Sequence, residues 1–390
     1  MSEKLQLEIC DICLLIPGKI SKAHPLPQVP DPFCRAFNEA IDATTEAEYE
    51  GDFNGETDRF SLGEAVLCFE REGVPHRQPA RMVCMVHKET GIAVLEILVH
   101  DVSVGGIRLL EHYCGGMLDL EYRGKRYSRK EFLELLHFRS YGRARSMVFT
   151  NDRVTQTEIV NALVNEEYPL GTLMGSLAAR AEDNLAQYST ARVYASDATM
   201  LEVCSRDTWK DSALDRIPFQ VTEIFFIELL LLLDASIDKI CLDTRREESR
   251  LREGVAGASR SKLEELTFDM SQTVRFADFN RFRYPTTRES AGRLAKAFGI
   301  DGIFEKYENN RNLLKEMVQI AAEHAAKERD AVKNRFLFFI TALSMISAVN
   351  GALGNLKISF LSGYTYFAAI LIVGACYLIY KLITKKPKKS

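Results

Sequence analysis

Two apolar stretches near the carboxy terminus dominate the sequence. Phe336–Leu356 reads FLFFITALSMISAVNGALGNL, and after Lys357 the stretch Ile358–Tyr380 reads ISFLSGYTYFAAILIVGACYLIY. They contain 21 and 23 residues without a charge. Because a membrane-spanning helix needs roughly 20 apolar residues, the pattern predicts two transmembrane helices within 336–380.

The charges that flank these stretches predict an orientation. Lys333 and Arg335 precede the first stretch, and the basic tail 381–390 follows the second. Lysine and arginine are enriched on the cytoplasmic side of membrane proteins, so both termini are expected in the cytoplasm. The sequence therefore predicts an integral, multi-pass protein of the bacterial inner membrane. Lysines at the third and fifth positions from the end make the endoplasmic reticulum the alternative. An ordinary basic cluster that attracts anionic lipid is the favoured explanation of these lysines.

Composition limits the partners of the remaining chain. The 390 residues are 46% hydrophobic and 27% charged, with a formal net charge of −4. Residues 336–390 hold six of the 50 basic side chains and none of the 54 acidic ones, so residues 1–335 carry a net charge of −10. An acidic body gives no reason to expect nucleic acid as a partner. The nine cysteines, an odd number, do not indicate a disulfide framework.

Residues 1–216 are expected to form a cytosolic α/β or α+β domain. Phe60–Glu70, Ala80–His87 and Ile92–Val99 read as a meander of three strands. Ser128–Phe138 reads as a helix, with Ser128 and Glu131 spaced as a capping box.

Long helices are expected from residue 217 onward. Residues 217–302 read as helices that run back along one another, with Thr286 and Glu289 spaced to cap the third. Ile303–Asn350 has no internal break and predicts a helix of 48 residues, about 72 Å long. Its part before the membrane, 303–335, is called the stalk. An apolar or small stripe on the stalk implies packing on the preceding helices or on further copies of the chain. It consists of Tyr307, Leu314, Met317, Ala321, His324 and Ala331.

This order of elements resembles the CorA-like family of divalent-cation transporters, chiefly over residues 217–390. The fold class that it implies is an α+β cytosolic domain followed by long helices and a carboxy-terminal two-helix transmembrane hairpin. The resemblance further implies a homopentamer with the first span lining a pore, a divalent cation as cargo, and gating by the cytosolic domain. The family's Gly-Met-Asn motif is missing here, and its candidate equivalents are Asn350-Gly351 and Gly354-Asn355.

One face of the first predicted span is small or polar, as an ion pathway requires. The predicted pore-lining residues recur at spacings of three and four: Thr341, Ser344, Ala348, Gly351 and Asn355. Their oxygens could replace part of an ion's hydration shell, but small residues also let helices pack closely. The predicted outer loop contains Asn350, Gly354 and Lys357.

The sequence gives no positive indication of an enzyme. It contains no P-loop, GxGxxG or GxSxG pattern, and Cys10-x-x-Cys13 has no matching second pair for zinc. No cofactor is identified, and a metal site is left open. The acidic runs at 46–50 and 52–58 are expected to form a mobile acidic loop, with cation binding as the alternative.

An arginine cluster around Phe276–Tyr284 predicts a site for a small anionic ligand, at Arg275, Arg281, Arg283 and Arg288. Guanidinium groups bind phosphates and carboxylates through paired hydrogen bonds, although such runs also form solvated faces. This cluster supports a second hypothesis, a ligand-activated membrane effector in signalling or defence. A third is a membrane-anchored scaffold without transport.

Overall fold

The computed structural model describes residues 10–21, 23–71, 73–102, 118–151, 184–186, 191–205, 209–252 and 256–355. The described chain forms an α/β region with a large mixed sheet, followed by long helices.

Ten strands form one sheet. Its order is β6-β5-β2-β3-β4-β1-β8-β10-β9, and β7 pairs with β1. The pairing between β8 and β10 is parallel, and the other pairings are antiparallel. The predicted meander is confirmed as β2, β3 and β4. The strands are β1 Cys10–Ile20, β2 Thr57–Arg71, β3 Val74–His87, β4 Ile92–Val102, β5 Asp119–Tyr122, β6 Lys125–Ser128, β7 Phe138–Ser140, β8 Arg145–Asn151, β9 Ala191–Ala195 and β10 Thr199–Cys204.

The long helices pack against one face of this sheet and extend beyond it, whereas Phe132 and Leu133 of the short helix 129–135 pack in the apolar cluster on the other face. The helices are α1 Pro32–Glu48, α2 Phe53–Glu56, α3 Arg129–Leu135, α4 Ala213–Arg252, α5 Ala256–Thr273, α6 Pro285–Ala297 and α7 Ile300–Asn355, with short 3₁₀ turns at Val274–Ala277 and Phe279–Arg281. Strand side chains alternate between two apolar clusters because successive residues point to opposite faces. Cys10 lies in one cluster and Cys13 in the other, so these two thiols do not share a metal site.

Local capping signals were predicted with mixed success. The capping box of Ser128 and Glu131 is confirmed: each side chain accepts a hydrogen bond from the backbone N–H of the other residue, at the start of α3. The box predicted for Thr286 and Glu289 is wrong, because α6 begins at Pro285 with Tyr284 as its cap and no side-chain cap bond. Proline fits the first turn of a helix, where its missing N–H would have no partner. The helix therefore begins at Pro285, one residue before the predicted cap Thr286.

Helix α4 is the centre of the helical layer. It is 40 residues long, about 60 Å. Every residue from Ile224 to Ile237 is buried, on all sides of the helix. A helix that is apolar all round requires neighbours all round. The sheet, α1, α6 and the turns after α5 supply them.

A buried ion network fixes α4 to the sheet. Arg59 on β2 donates two hydrogen bonds to Glu228 on α4, at 2.5 and 2.6 Å. Glu96 on β4 lies 3.6 Å from the Arg59 guanidinium, and Asp42 on α1 lies 3.4 Å from it. Burial and the neighbouring Glu228 raise the pKa of Glu96 well above its usual range. Arg59 and Glu228 therefore form the ion pair, and Glu96 is held in its neutral form.

A third apolar cluster joins α4, α5 and α7. It consists of Ile240, Leu263, Leu266, Met270, Leu314, Met317 and Ala321. The last three belong to the predicted stripe of the stalk, and they pack on the preceding helices. Helix α7 is 56 residues long, about 84 Å.

The prediction of an integral, multi-pass membrane protein with a transmembrane hairpin is wrong. Among the residues that the structure describes, no helix combines the length and the apolar character that crossing a membrane requires. The second predicted span, 358–380, and the tail 381–390 lie outside the described residues.

Replacing Glu228 by glutamine leaves the buried Arg59 without its ionised partner. The expected loss in free energy of unfolding is about 3–5 kcal/mol, measured by urea denaturation at pH 7. Glu96→Gln is the matched control, because it mimics the neutral acid and should cost far less.

The same control variant predicts a pH dependence. The folded-state pKa of Glu96 is raised, so its contribution to stability is lost as the pH rises from its unfolded pKa toward its folded one. Relative to the wild type, Glu96→Gln should gain up to about 1.4 kcal/mol per pH unit in that window. If the free energies of unfolding of the wild type and of Glu96→Gln changed in parallel between pH 5 and 8, Glu96 would be ionised in the folded protein.

Candidate ligand cavity

A cavity of about 460 Å³ lies where the sheet, α4 and α5 meet. The ends of β1 and β3 and the turn into β4 form one wall, and α4 and α5 form the other. The connection from α1 to α2 and the 3₁₀ turns after α5 close its end. Sites that bind small molecules are concave spaces of this size, lined by apolar rings and a few polar groups.

Aromatic rings line the closed end of this cavity. Tyr49 packs edge-on against Phe53, Phe225 and Phe282, with ring centroids 6.1, 5.4 and 5.0 Å apart. His87 packs edge-on against Phe276 at 5.2 Å. Phe268 of α5 lies at the rim and is 57% exposed. The buried rings form a rigid floor, and Phe268 offers an aromatic face that contacts solvent.

Charged side chains of both signs complete the lining. Five are basic and five are acidic: Lys19, Lys239, Lys262, Arg275 and Arg281, with Glu56, Glu89, Asp243, Glu265 and Asp269. Some pair along one helix, such as Lys262 with Glu265 at 2.6 Å. Arg275 instead pairs with Glu56 of α2 at 3.1 Å, and its side chain is half exposed. An exposed pair contributes little stability, so Arg275 can exchange Glu56 for another anion at low cost.

The segment that carries Arg281 is fixed to the end of α1. The N–H of Glu50 donates to the carbonyl of Arg281 at 2.7 Å, and the N–H of Arg283 donates to the carbonyl of Glu48 at 2.8 Å. Arg281 Nε donates to the carbonyl of Glu50 at 2.8 Å, and its guanidinium lies 4.7 Å from the centre of the Tyr49 ring.

Gly51 makes room for that guanidinium. Its φ is +111°, in the region that favours glycine, and a Cβ at this position would overlap the Arg281 side chain. The backbone conformation therefore favours glycine here, and a larger residue would force the Arg281 guanidinium to shift. The position of Arg281 against Tyr49 depends on Gly51.

The structure divides the predicted arginine cluster. Arg275 and Arg281 line the cavity, whereas Arg283 and Arg288 are exposed and do not line it. Arg288 donates to the carbonyl of Phe282 at 2.9 Å and holds the turn before α6.

The predicted pore-lining residues all lie on α7, far along the chain from this cavity. Thr341 is exposed and donates to the carbonyl of Leu337 at 2.8 Å, and Ser344 is exposed. Ala348, Gly351 and Asn355 belong to the helical backbone, as do Asn350 and Gly354 of the predicted outer loop, and Lys357 lies outside the described residues.

Metal ligation has no support in the described part of the chain, where no group of three or more His, Cys, Asp or Glu side chains is arranged to hold a metal ion. The acidic run at 52–58 has structural roles here. Asp52 caps α2 by accepting from the N–H of Gly55 at 2.9 Å, and Glu56 pairs with Arg275.

Sequence reasoning missed most of the cavity. Lys239 and Asp243 on α4, and Lys262 and Asp269 on α5, face each other only because α5 folds back along α4. Their spacing within each helix is typical of a solvated face, so the sequence carries no signal that separates them from surface charges.

No protein-family model matches this chain, and no curated protein or solved structure does either. The resemblance to CorA-like proteins therefore stays a prediction that these comparisons do not test.

Gly51→Ala should displace Arg281 from Tyr49. We expect a larger loss of stability than for Gly124→Ala, because Gly124 has a φ of +75°, nearer the left-handed helical region than the +111° of Gly51, and has open space around its added Cβ. The common cost of the backbone is about 1–3 kcal/mol. Thermal or urea unfolding measures the difference, and truncating the displaced side chain in Gly51→Ala/Arg281→Ala should recover part of it. Equal losses for the two glycine variants would contradict the role of Gly51.

Proposed function

We propose that this chain is a small-molecule sensor: it binds an aromatic, anionic molecule in the cavity between the sheet and α5, and occupancy changes the packing of α7. The observation that carries this proposal is the combination of aromatic rings with Arg275, whose exposed partner Glu56 a ligand anion can replace. This retains the ligand-binding part of the effector hypothesis and does not include a membrane span.

The ring of the ligand would pack between Phe268 and Phe276, and its anionic group would pair with Arg275. The acids of the lining argue against a multiply charged anion, because Glu56, Glu89 and Asp269 would repel the additional charge. A ring with one anionic group, or a zwitterion, fits this distribution of charge.

Helix α5 provides a path from the cavity to α7. Phe268 and Asp269 face the cavity, and the adjacent Met270 packs in the cluster with Leu314 and Met317 of α7. Ile240 of α4 belongs to both the cavity lining and that cluster. A ligand that moves α5 must therefore shift the packing of α7, and packed helices move by discrete shifts rather than continuous deformation.

Self-association through α7 is the proposed output. Beyond Ala321, 34 residues of α7 remain (322–355), about 50 Å of helix. Five consecutive apolar side chains on it are exposed, Phe336, Leu337, Phe338, Phe339 and Ile340. Consecutive residues point to different sides of a helix, so one neighbour cannot cover them. This favours an assembly larger than a dimer, in line with the pentamer that the resemblance implies.

Saturation-transfer difference NMR tests the ligand class with four probes. Benzoate and phenylalanine carry a ring with one anionic group, phenethylamine carries a ring with a cation, and inorganic phosphate has no ring. We expect binding of the first two and at least tenfold weaker binding of the others. Binding of inorganic phosphate is measured by calorimetry. Arg275→Gln should weaken benzoate binding at least tenfold.

Arg283→Gln is the matched control, because Arg283 belongs to the same segment but does not line the cavity. Equal effects of the two variants, or tightest binding of phenethylamine, would reject the anionic ligand. Hydrogen exchange of residues 307–321 with and without benzoate then tests transmission to α7, and unchanged exchange would reject it.

A further inference from the structure

A second cavity, of about 280 Å³, lies along the amino-terminal part of α4 and has a different electrostatic character. β9 and β10, α4, α6 and the end of α1 line it, together with residues 185–186. Three of its lining residues are acidic, Glu48, Glu202 and Glu223, and none of the described lining residues is basic. The first cavity balances its charges internally, whereas this one does not.

Glu202 is the central group. It is 5% exposed, and its position on β10 places it on the helical side of the sheet, beside the cavity. One carboxylate oxygen, Oε1, accepts from the Cys204 thiol at 3.4 Å. The other, Oε2, is buried and has no hydrogen-bond partner among the described residues. A buried polar oxygen without a partner costs about 1–3 kcal/mol, so it indicates a missing donor.

The other acidic groups are held in place around it. Glu48 Oε2 accepts from the Thr287 hydroxyl at 3.0 Å, which orients this side chain between α1 and α6. Glu223 of α4 is close enough to Glu202 for the two carboxylates to interact electrostatically. A donor that enters this cavity therefore meets three carboxyl groups from three different elements.

The remaining walls define the body of the ligand. They are mainly apolar, with Phe219, Phe226 and Leu294 as the largest side chains. Metal ligation is not supported, because the described residues include no group of three or more suitable ligands arranged for a metal ion. A cationic head with an apolar body fits both the acids and the walls.

We infer that this second cavity binds a small organic amine, whose ammonium group donates to Glu202 Oε2 and is neutralised by Glu202 and Glu223. The site is independent of the aromatic anion proposed for the first cavity, and either can fail without the other.

Binding of an amine has a defined proton linkage. Burial raises the pKa of Glu202 to about 7, and burial together with Glu202 raises that of Glu223 well above its usual range. The other titratable groups that face them are Glu48 and Cys204, and burial keeps the Cys204 thiol protonated by raising its pKa. The ammonium stabilises the ionised carboxylate, so binding must release protons and strengthen as the pH rises through 7.

Isothermal titration calorimetry on the full chain tests this inference with benzylamine as the probe. We expect benzylamine to bind at pH 8 and to bind at least fivefold more weakly at pH 6. Titrations in buffers of different ionisation enthalpy should show that binding releases protons. The neutral isostere benzyl alcohol should not bind. Glu202→Gln should weaken benzylamine at least tenfold. Glu39→Gln, an exposed acid of α1 outside the cavity, should not.

Ser290→Lys is a second variant that does not remove the buried acid. Ser290 lines the cavity from α6, and a lysine there supplies an internal ammonium that should abolish benzylamine binding and raise the melting temperature. Each of four results would overturn the amine site. Two concern the ligand: no binding of benzylamine at pH 8, or equal binding of benzyl alcohol. The others are undiminished binding of benzylamine by Glu202→Gln and displacement of benzylamine by millimolar Mg²⁺.

Discussion

The bidentate contact between Arg59 and Glu228 is the constraint on which the arrangement of sheet and helices depends. It is buried, and its two partners are 169 residues apart in sequence. Burying one charge without the other costs several kcal/mol, so β2 and α4 can pack in a register that brings the two together but not in neighbouring ones. A hydrophobic helix alone could slide or rotate against a hydrophobic sheet at much lower cost.

Fixing the register of α4 also positions both cavities. The half of α4 after Asp234 faces α5 and carries Lys239, Ile240 and Asp243 into the first cavity. The half before Glu228 faces β10 and α6 and carries Glu223 and Phe226 into the second. One helix therefore separates a charge-balanced aromatic site from an acidic one. A change in the rotation of α4 would alter both.

The parts of the fold that the sequence predicts are those whose information is local. The capping box of Ser128 and Glu131 needs three residues of spacing, and the meander needs alternating apolar residues within each strand. The sites are not local in this sense. Gly51 and Arg281 meet through a backbone bridge between segments that are 230 residues apart, and Glu202 gains its character from burial beneath α4. The transmembrane prediction failed for a related reason: an uninterrupted apolar run predicts a span from composition alone, and the described part of α7 does not meet the requirement for length and apolar character.

The transmission that we propose from the first cavity to α7 rests on how α5 is held. Its cavity face bears Lys262, Glu265 and Asp269, whereas the adjacent face packs Leu263, Leu266 and Met270 against α4 and α7. In the proposed sensor, a ligand in the cavity would move α5 against little resistance from the charged side, and the close-packed side would not deform to absorb the movement. The displacement would pass to Leu314 and Met317 on α7. Beyond Ala321, α7 continues for about 50 Å, so a small tilt at the cluster would become a larger displacement at its far end.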